Sequence, residues 1–341
     1  TLLMNFKKNI YLRKLNTFGI NVKCKLYCKI QSKEDIFSVL NSKEYHNNNH
    51  LILSGGSNIL FVKDYDGLII KNDIKGIEIT KENHLSTHIR VGSGENWHQF
   101  VLWSIKNKLS GLENMSLIPG NVGASPIQNI GAYGAEVKDF ISSVEGINLK
   151  QEKFFLLNNK DCDFGYRNSI FKNELKEKVI ITHVNFKLSK IPIKNTKYGE
   201  IKQEIMNMKV PISTESISKA VINIRTRKLP NPEIIGNIGS FFKNPIISTS
   251  YFLKKKKEFT GIIGYKISET ETKIAAGWLI EQCGWKGYRE GDAGVHKNQA
   301  LVLVNHGNAT GRNILSLSKK IQKSVKNKFN INIYPEVNII G

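Results

Sequence analysis

The sequence predicts an α+β fold. Short apolar strands with turn residues between them gather in the first half, and strands and helices mix in the last third. No repeat recurs at a fixed period, and no G-x-G-x-x-G opens a helix as a doubly wound dinucleotide fold would require. The 341 residues suit two or three domains.

The elements follow in order. Apolar runs at 51–53 and 59–62 flank the turn Ser54-Gly55-Gly56-Ser57-Asn58, and further strands fit 68–70, 77–79 and 89–91. A helix fits 95–108, where Trp97, Val101 and Ile105 recur at helical spacing and Glu95 suits the first turn. Strands fit 144–149, 153–157 and 179–188. A helix over 215–227 carries Ile217, Val221 and Ile224 on one face, and Pro230 and Pro232 place a domain boundary beyond it. A helix is then expected over 272–282 and a buried strand over 300–304. A helix over 313–329, with Ile314, Leu317, Ile321 and Val325 inward, precedes a strand over 331–339.

Forty per cent hydrophobic and 23% charged residues describe a soluble globular chain. No apolar run approaches the roughly 20 residues that span a bilayer, and residues 1–9 lack a cleavage signal. A cytoplasmic protein without membrane association is expected. Cys24, Cys28, Cys162 and Cys283 are too scattered for a zinc site, so no metal is expected. The net charge is +21, mostly lysine spread along the chain, with one dense run at 254–257 that suits a solvated loop or helix face. Arginine clusters interleaved with aromatics are missing, so nucleic-acid binding is not expected. An anionic small substrate is the simpler use of such a field.

The most informative segment is 117–135, L-I-P-G-N-V-G-A-S-P-I-Q-N-I-G-A-Y-G-A, which bears no charge in this charged chain. Glycine lets a backbone approach a ligand closely, proline fixes the path, and bare N–H groups can face an anion. A buried apolar loop is the other reading. The turn at 54–58 reads either as a bare hairpin or as a second backbone cradle for a diphosphate. In Phe164-Gly165-Tyr166-Arg167-Asn168-Ser169, Arg167 is a surface arginine or a fork for a carboxylate. In Gly236-Asn237-Ile238-Gly239-Ser240-Phe241-Phe242-Lys243-Asn244-Pro245, the glycines free Ser240 to project while two phenylalanines anchor the segment. The serine is inert in a buried turn, or it donates a proton. In Tyr334-Pro335-Glu336-Val337, Glu336 is costly to bury unless paired. It is a structural ion pair or a catalytic carboxyl with a shifted pKa.

Together these residues resemble the UDP-N-acetylenolpyruvoylglucosamine reductase family. G-G-S-N, I-P-G-x-V-G-x-S-P-I-Q-N-I-G-A-Y-G, F-G-Y-R-x-S-I-F, G-S-F-F-K-N-P, A-A-G-W-L-I and P-E-V stand in the family's order, from Asn16-Thr17-Phe18-Gly19-Ile20 to the last strand. Tyr198-Gly199-Glu200 resembles the tyrosine loop of the family's longer branch. The resemblance implies a vanillyl-alcohol-oxidase-type (PCMH-type) FAD-binding fold. Two α+β subdomains, 1–75 joined by 331–341 and 76–228, would bind FAD, and 229–330 would form an α+β substrate domain. It further implies non-covalent FAD, in keeping with the lack of histidine in either Gly-rich segment. Gly55, Gly56, Ser57, Asn58, Pro119, Gly120, Gly123, Ser125, Gln128, Asn129, Gly131, Ala132 and Tyr133 would hold it.

The reaction implied has two halves. NADPH reduces FAD, and hydride then passes from flavin N5 to C3 of the enolpyruvyl group of a UDP-sugar. Ser240 would protonate C2, while Arg167 and Glu336 polarise the substrate carboxylate. Tyr198, Lys228, Asn244, Tyr265, Lys286 and Gln299 match the family's substrate contacts, and a monomer is expected. One departure is Asn338, where the family commonly has a basic residue; it puts a flavin or domain contact in doubt.

Overall fold

The computed structural model describes residues 4–341. The chain forms two compact units: Thr1–Ile10, Cys24–Gly56 and Asp66–Arg225 make the first, and Tyr11–Lys23, Ser57–Tyr65 and Thr226–Gly341 the second.

The first unit contains a four-stranded sheet, in the order Lys7–Tyr11, Lys23–Ile30, Tyr65–Asn72, His50–Leu53. Strand Lys23–Ile30 alternates, so Cys24, Leu26, Cys28 and Ile30 all face inward. Burial pushes the Cys28 thiol up to about 12, as suits an inert apolar cysteine. Tyr65–Asn72 buries Leu68, Ile69 and Ile70 in a row, the pattern of a strand covered on both faces. It runs parallel to His50–Leu53, with Leu51 opposite Ile69. Helix Lys33–Leu40, opened by a capping box between Ser32 and Asp35, adds Ile36, Val39 and Leu40 to that core.

The same unit holds a five-stranded sheet, ordered Lys153–Asn158, Ile141–Asn148, Val179–Ser189, Ser86–Gly92, Ile77–Glu82, with every neighbour antiparallel. Val91, Val144 and Val184 form one buried row across three of these strands. Helix Trp97–Lys106 lays Trp97, Phe100 and Val101 on the core that includes them. It is shorter than the expected 95–108 because Asn96 is the cap: its Oδ1 accepts from Gln99 N at 3.0 Å. Glu95 lies outside the helix and accepts from Gly76 N at 2.8 Å.

The second unit carries two three-stranded antiparallel sheets. One is Ile246–Ser248, Glu271–Ile274, Gly264–Lys266, and the other Arg289–Glu290, Ala293–Val295, Leu303–Asn305. Helix Gly311–Phe329 buries Ile314, Leu317, Ile321, Val325 and Phe329. The lysine run lies in helix Thr249–Glu258, where Lys255 alone of the four is buried and pairs with Glu258 at 2.7 Å. Strand Asn338–Ile340 pairs in parallel with Ile59–Phe61.

Three expected elements change here. The helix over 272–282 divides into strand Glu271–Ile274 and helix Ala276–Gln282, because Thr272 and Ile274 alternate inward before Ala275 starts the helix. The strand over 300–304 is confined to Leu303–Asn305. The strand over 331–339 pairs regularly only at Asn338–Ile340; Pro335 has no N–H to donate, and Ile331 and Ile333 are buried side chains of an irregular segment. No helix of the described residues is long and apolar enough to cross a membrane.

Candidate functional site

The turn after His50–Leu53 is not a hairpin. The strand before it pairs with Tyr65–Asn72, and Ile59–Phe61 after it pairs with Asn338–Ile340. The turn meets the uncharged loop instead. A Cβ on Gly55 would stand 2.8 Å from Gly120 Cα and 3.1 Å from Asn121 Oδ1. The two segments singled out in the sequence are therefore one backbone surface at this point, and only glycine permits it.

The loop is pinned from beneath. Gly120 O accepts from Trp97 N at 3.0 Å, Val122 N donates to Glu95 O at 2.8 Å, and Gly123 N donates to Ser93 O at 2.9 Å. Asn121 Nδ2 donates to Gly94 O at 3.0 Å. On the other segment, Lys71 Nζ donates to Ser54 O at 2.5 Å. Two hydroxyl oxygens along these segments, Ser54 Oγ and Ser125 Oγ, are buried without a hydrogen-bond partner. Buried polar atoms rarely stay unsatisfied. A close-packed, glycine-lined surface with lone hydroxyls suits an oxygen-rich anionic ligand, so the residues present fit the diphosphate of FAD.

Arg167 reaches the far end of the same loop. Its Nη2 donates to Gly131 O at 2.7 Å and its Nη1 to Asn129 O at 3.3 Å. Arg167 adopts φ +53° and Asn129 φ +44°, left-handed backbone that costs a non-glycine residue energy and marks a held site. Asn129 is fully buried and ties the segments back, donating from Nδ2 to Gly165 O at 3.0 Å and accepting at Oδ1 from Lys138 N at 3.1 Å. Ser169 Oγ donates to Ile127 O at 2.6 Å. Tyr198 packs against Gly134, whose Cβ would stand 3.1 Å from Tyr198 Cβ, and the tyrosine is half exposed. Gly131, Ala132, Tyr133, Arg167 and Tyr198 thus share one end of the loop, while Pro119 and Gln128 lie along its accessible course.

In the second unit, Ser240 and Glu336 are neighbours. Ser240 bridges Val302, Phe242 bridges Pro335, and Glu336 N donates to Phe241 O at 2.8 Å. Phe241 and Phe242 are buried while Ser240 is exposed. Gly239, at φ +74°, makes the turn that points the serine out. Asn58 joins this cluster: its Nδ2 donates to Glu336 O at 3.3 Å, and its own carbonyl accepts from both N and Nδ2 of Asn338 at 3.1 Å. Asn338 therefore holds Asn58, the last residue of the Gly-Gly-Ser-Asn turn, through both its backbone N–H and its side-chain amide. Asn244 Oδ1 caps Ala276 N at 2.9 Å, and a Cβ on Gly277 would stand 3.3 Å from Gln299 Oε1. These bring Asn244 and Gln299 to one helix start. Lys286 pairs with Glu281 at 2.8 Å, and Tyr265 stands exposed on strand Gly264–Lys266. Lys228 is exposed at the end of helix Thr214–Lys228.

The sequence reading missed Lys71 and Asn338 as supports of the glycine turn. Lys71 had a signal: it is a lone lysine following three buried apolar residues on a covered strand.

Residues 230–340 match the family described as UDP-N-acetylenolpyruvoylglucosamine reductase, C-terminal domain, and residues 24–151 match the FAD binding domain family. The chain is 52% identical over 339 residues to the UDP-N-acetylenolpyruvoylglucosamine reductase of Flavobacterium johnsoniae, covering 99% of this chain and 100% of that one. It is 46% identical over 338 residues to the protein of the same name from Amoebophilus asiaticus, at 99% and 100% coverage. Among solved structures, UDP-N-acetylenolpyruvylglucosamine reductase from Thermus caldophilus superposes with a TM-score of 0.69 at 21% identity, over 99% of this chain and 100% of that one. That likeness confirms the α+β fold of the FAD-binding type.

Proposed function

Because the chain belongs to the UDP-N-acetylenolpyruvoylglucosamine reductase family and is a flavin-dependent oxidoreductase, we propose that it reduces UDP-N-acetylglucosamine enolpyruvate to UDP-N-acetylmuramate, with NADPH as reductant. The product serves peptidoglycan precursor synthesis. The observation that carries the reading is the adjacency of Ser240 and Glu336, a proton donor and a carboxyl fixed on hydrogen-bonded neighbouring segments.

When bound, FAD would supply the two-electron chemistry that links NADPH to C3 of the enolpyruvyl double bond. The chain's own residues do the rest. The backbone of Gly55, Gly56 and 119–125, with the Ser125 hydroxyl, binds the diphosphate. Ser57 and Asn58 extend that turn, and Gln128, Asn129 and 131–133 continue the cradle. Charge moves toward the substrate carboxylate as C3 accepts hydride. Arg167 and Glu336 stabilise it there. Ser240 Oγ then gives its proton to C2, which completes the addition of one hydride and one proton across the double bond. Lys228 and Lys286 serve the UDP diphosphate, Asn244, Tyr265 and Gln299 orient the sugar nucleotide, and Tyr198 closes over it. In this reading 1–75 with 331–341 and 76–228 form the FAD-binding subdomains and 229–330 the substrate domain. The protein works in the cytoplasm as a monomer.

The test is spectroscopic. Purified protein should be yellow, bleach anaerobically with NADPH, and regain colour only when the enolpyruvyl sugar is added. Reoxidation by air alone would favour an oxidase of the same fold instead.

A further inference from the structure

Ser240 is exposed between two buried stretches, Asn237-Ile238 before it and Phe241-Phe242 after it. After it, the chain is held by strand-type pairing: Ser240 bridges Val302, and Phe241 N donates to Leu301 O at 2.8 Å. Before it, the bridged residue is Gly236, which faces Asn305. The crossing from Gly236 to Ser240 passes through Gly239 at φ +74°. One side chain organises that crossing, and it belongs to Asn237.

Asn237 is only 3% exposed. Its backbone N donates to Thr17 O at 2.9 Å. Its Nδ2 donates to Ile235 O at 2.8 Å and to Pro230 O at 3.2 Å. Its Oδ1 accepts from Gly239 N at 2.9 Å, an Asx turn two residues long. Both amide donors and the amide acceptor are thus engaged, a set that a carboxylate or a hydroxyl cannot reproduce. The base beneath is firm. Asn305, also buried, donates from N to Gly236 O at 2.8 Å and from Nδ2 to Phe18 O at 2.9 Å. A Cβ on Gly236 would run into that same Phe18 carbonyl.

We propose that Asn237 is a positioning residue for the proton transfer: by accepting from Gly239 N, it selects the left-handed turn that aims Ser240 Oγ. The inference rests on the reading of Ser240 as the proton donor. Sterics do not impose the turn, since a Cβ on Gly239 would meet nothing within 4 Å. Glycine takes either sign of φ about equally readily, so the bond to Asn237 Oδ1 is what decides between them. Losing it lets the serine drift, and a misplacement of about 1 Å at a reacting group costs on the order of 10²-fold in rate.

The test uses full-length holoenzyme, reduced with dithionite and mixed anaerobically with saturating UDP-N-acetylglucosamine enolpyruvate. Flavin absorbance then reports reoxidation. Asn237→Ala should slow this step by roughly 10- to 100-fold, while flavin reduction by NADPH stays within about twofold of the parent. Asn237→Ser, whose hydroxyl can accept from the same N–H, should recover part of the rate. The decisive reading is the double variant. Adding Asn237→Ala to Ser240→Ala should slow reoxidation no further, because the group that Asn237 aims is already gone. If the alanine variant does not fold, Asn237→Ser gives the same cycle with a smaller loss. Losses that multiply in the double variant, equal slowing of both half-reactions, or an unchanged reoxidation rate would each overturn the proposal. A Ser240→Ala enzyme that reoxidises at the parent rate would instead overturn the proton-donor reading itself.

Discussion

Glu336 N donates to Phe241 O at 2.8 Å, which fixes the carboxyl-bearing residue opposite the segment that presents Ser240. The bond is between backbones, so either side chain can be replaced without unlatching the pair. Ser240→Ala should leave flavin reduction by NADPH nearly intact and slow reoxidation by the enolpyruvyl sugar by about 10²- to 10⁴-fold, the usual weight of a general acid. Ser240→Cys, which keeps a donor, should lose less. Stopped-flow absorbance of the two half-reactions decides the matter, and equal slowing of both would remove the serine from the proton's path.

Gly55→Ala places a methyl 2.8 Å from Gly120 Cα, which is backbone and cannot swing aside. The two segments must separate. Overpacking of this kind costs about 1–3 kcal/mol, or roughly 5- to 150-fold in affinity if it falls on the bound form. Titration of the apoprotein with FAD should show that loss, with far-ultraviolet circular dichroism unchanged.

Lys71 supports the same turn from the side, through its bond to Ser54 O. Burial lowers its pKa, Asp73 opposes that effect, and Lys75 and Lys29 reinforce it. Lys71→Met keeps the apolar stem and removes the donor. The expected cost is about 1 kcal/mol, close to fivefold in FAD Kd. An unchanged Kd would mean that the turn keeps its shape without the lysine.

Two carboxylates should give opposite pH dependences. Glu145 is desolvated, but the bidentate Arg90 and the Asn185 amide together hold its pKa below the ordinary carboxylate range. Its stabilisation is present above the unfolded pKa and is lost as pH falls through the folded one. Glu113 is buried, and that desolvation raises its pKa despite hydrogen bonds from Gly111 N at 2.6 Å and Ser110 Oγ at 2.7 Å. Its contribution is present below the unfolded pKa and is lost as pH rises through the folded one. Measured as Tm against pH, Glu145→Gln should be most damaging near neutrality, by about 1–2 kcal/mol given the partial exposure of Arg90. Glu113→Gln should improve relative to the parent as pH rises. Parallel curves for Glu113→Gln and the parent would show that Glu113 titrates alike in both states.

Much of this was legible in the sequence because the relevant signals are local. Trp97, Val101 and Ile105 mark their helix by spacing, and the glycines of 117–135 mark a backbone that must approach something. What stayed hidden was long-range. Thr272 and Ile274 suit a helix window as well as a strand, and only the partners Ile246–Ser248 and Gly264–Lys266 decide for the strand. The close approach of Gly55 to Gly120 has no sequence signature beyond two glycines. Arg225 reads as one more cation in a chain of net charge +21, and its buried, unpartnered Nε emerges only when helix Thr214–Lys228 is packed.

The parallel pairing of Ile59–Phe61 with Asn338–Ile340 has a consequence for biosynthesis. Asn58 donates to Glu336 O and accepts from Asn338 Nδ2, partners 278 and 280 residues downstream. At about 5–20 residues per second, roughly 14–56 s separate the emergence of the turn from that of the strand that secures it. Through that interval Leu60 and Phe61, both fully buried in the finished protein, have no partner strand. This apolar edge therefore stays open until the last residues are made, and a chain truncated within helix Gly311–Phe329 would leave the glycine turn unfastened.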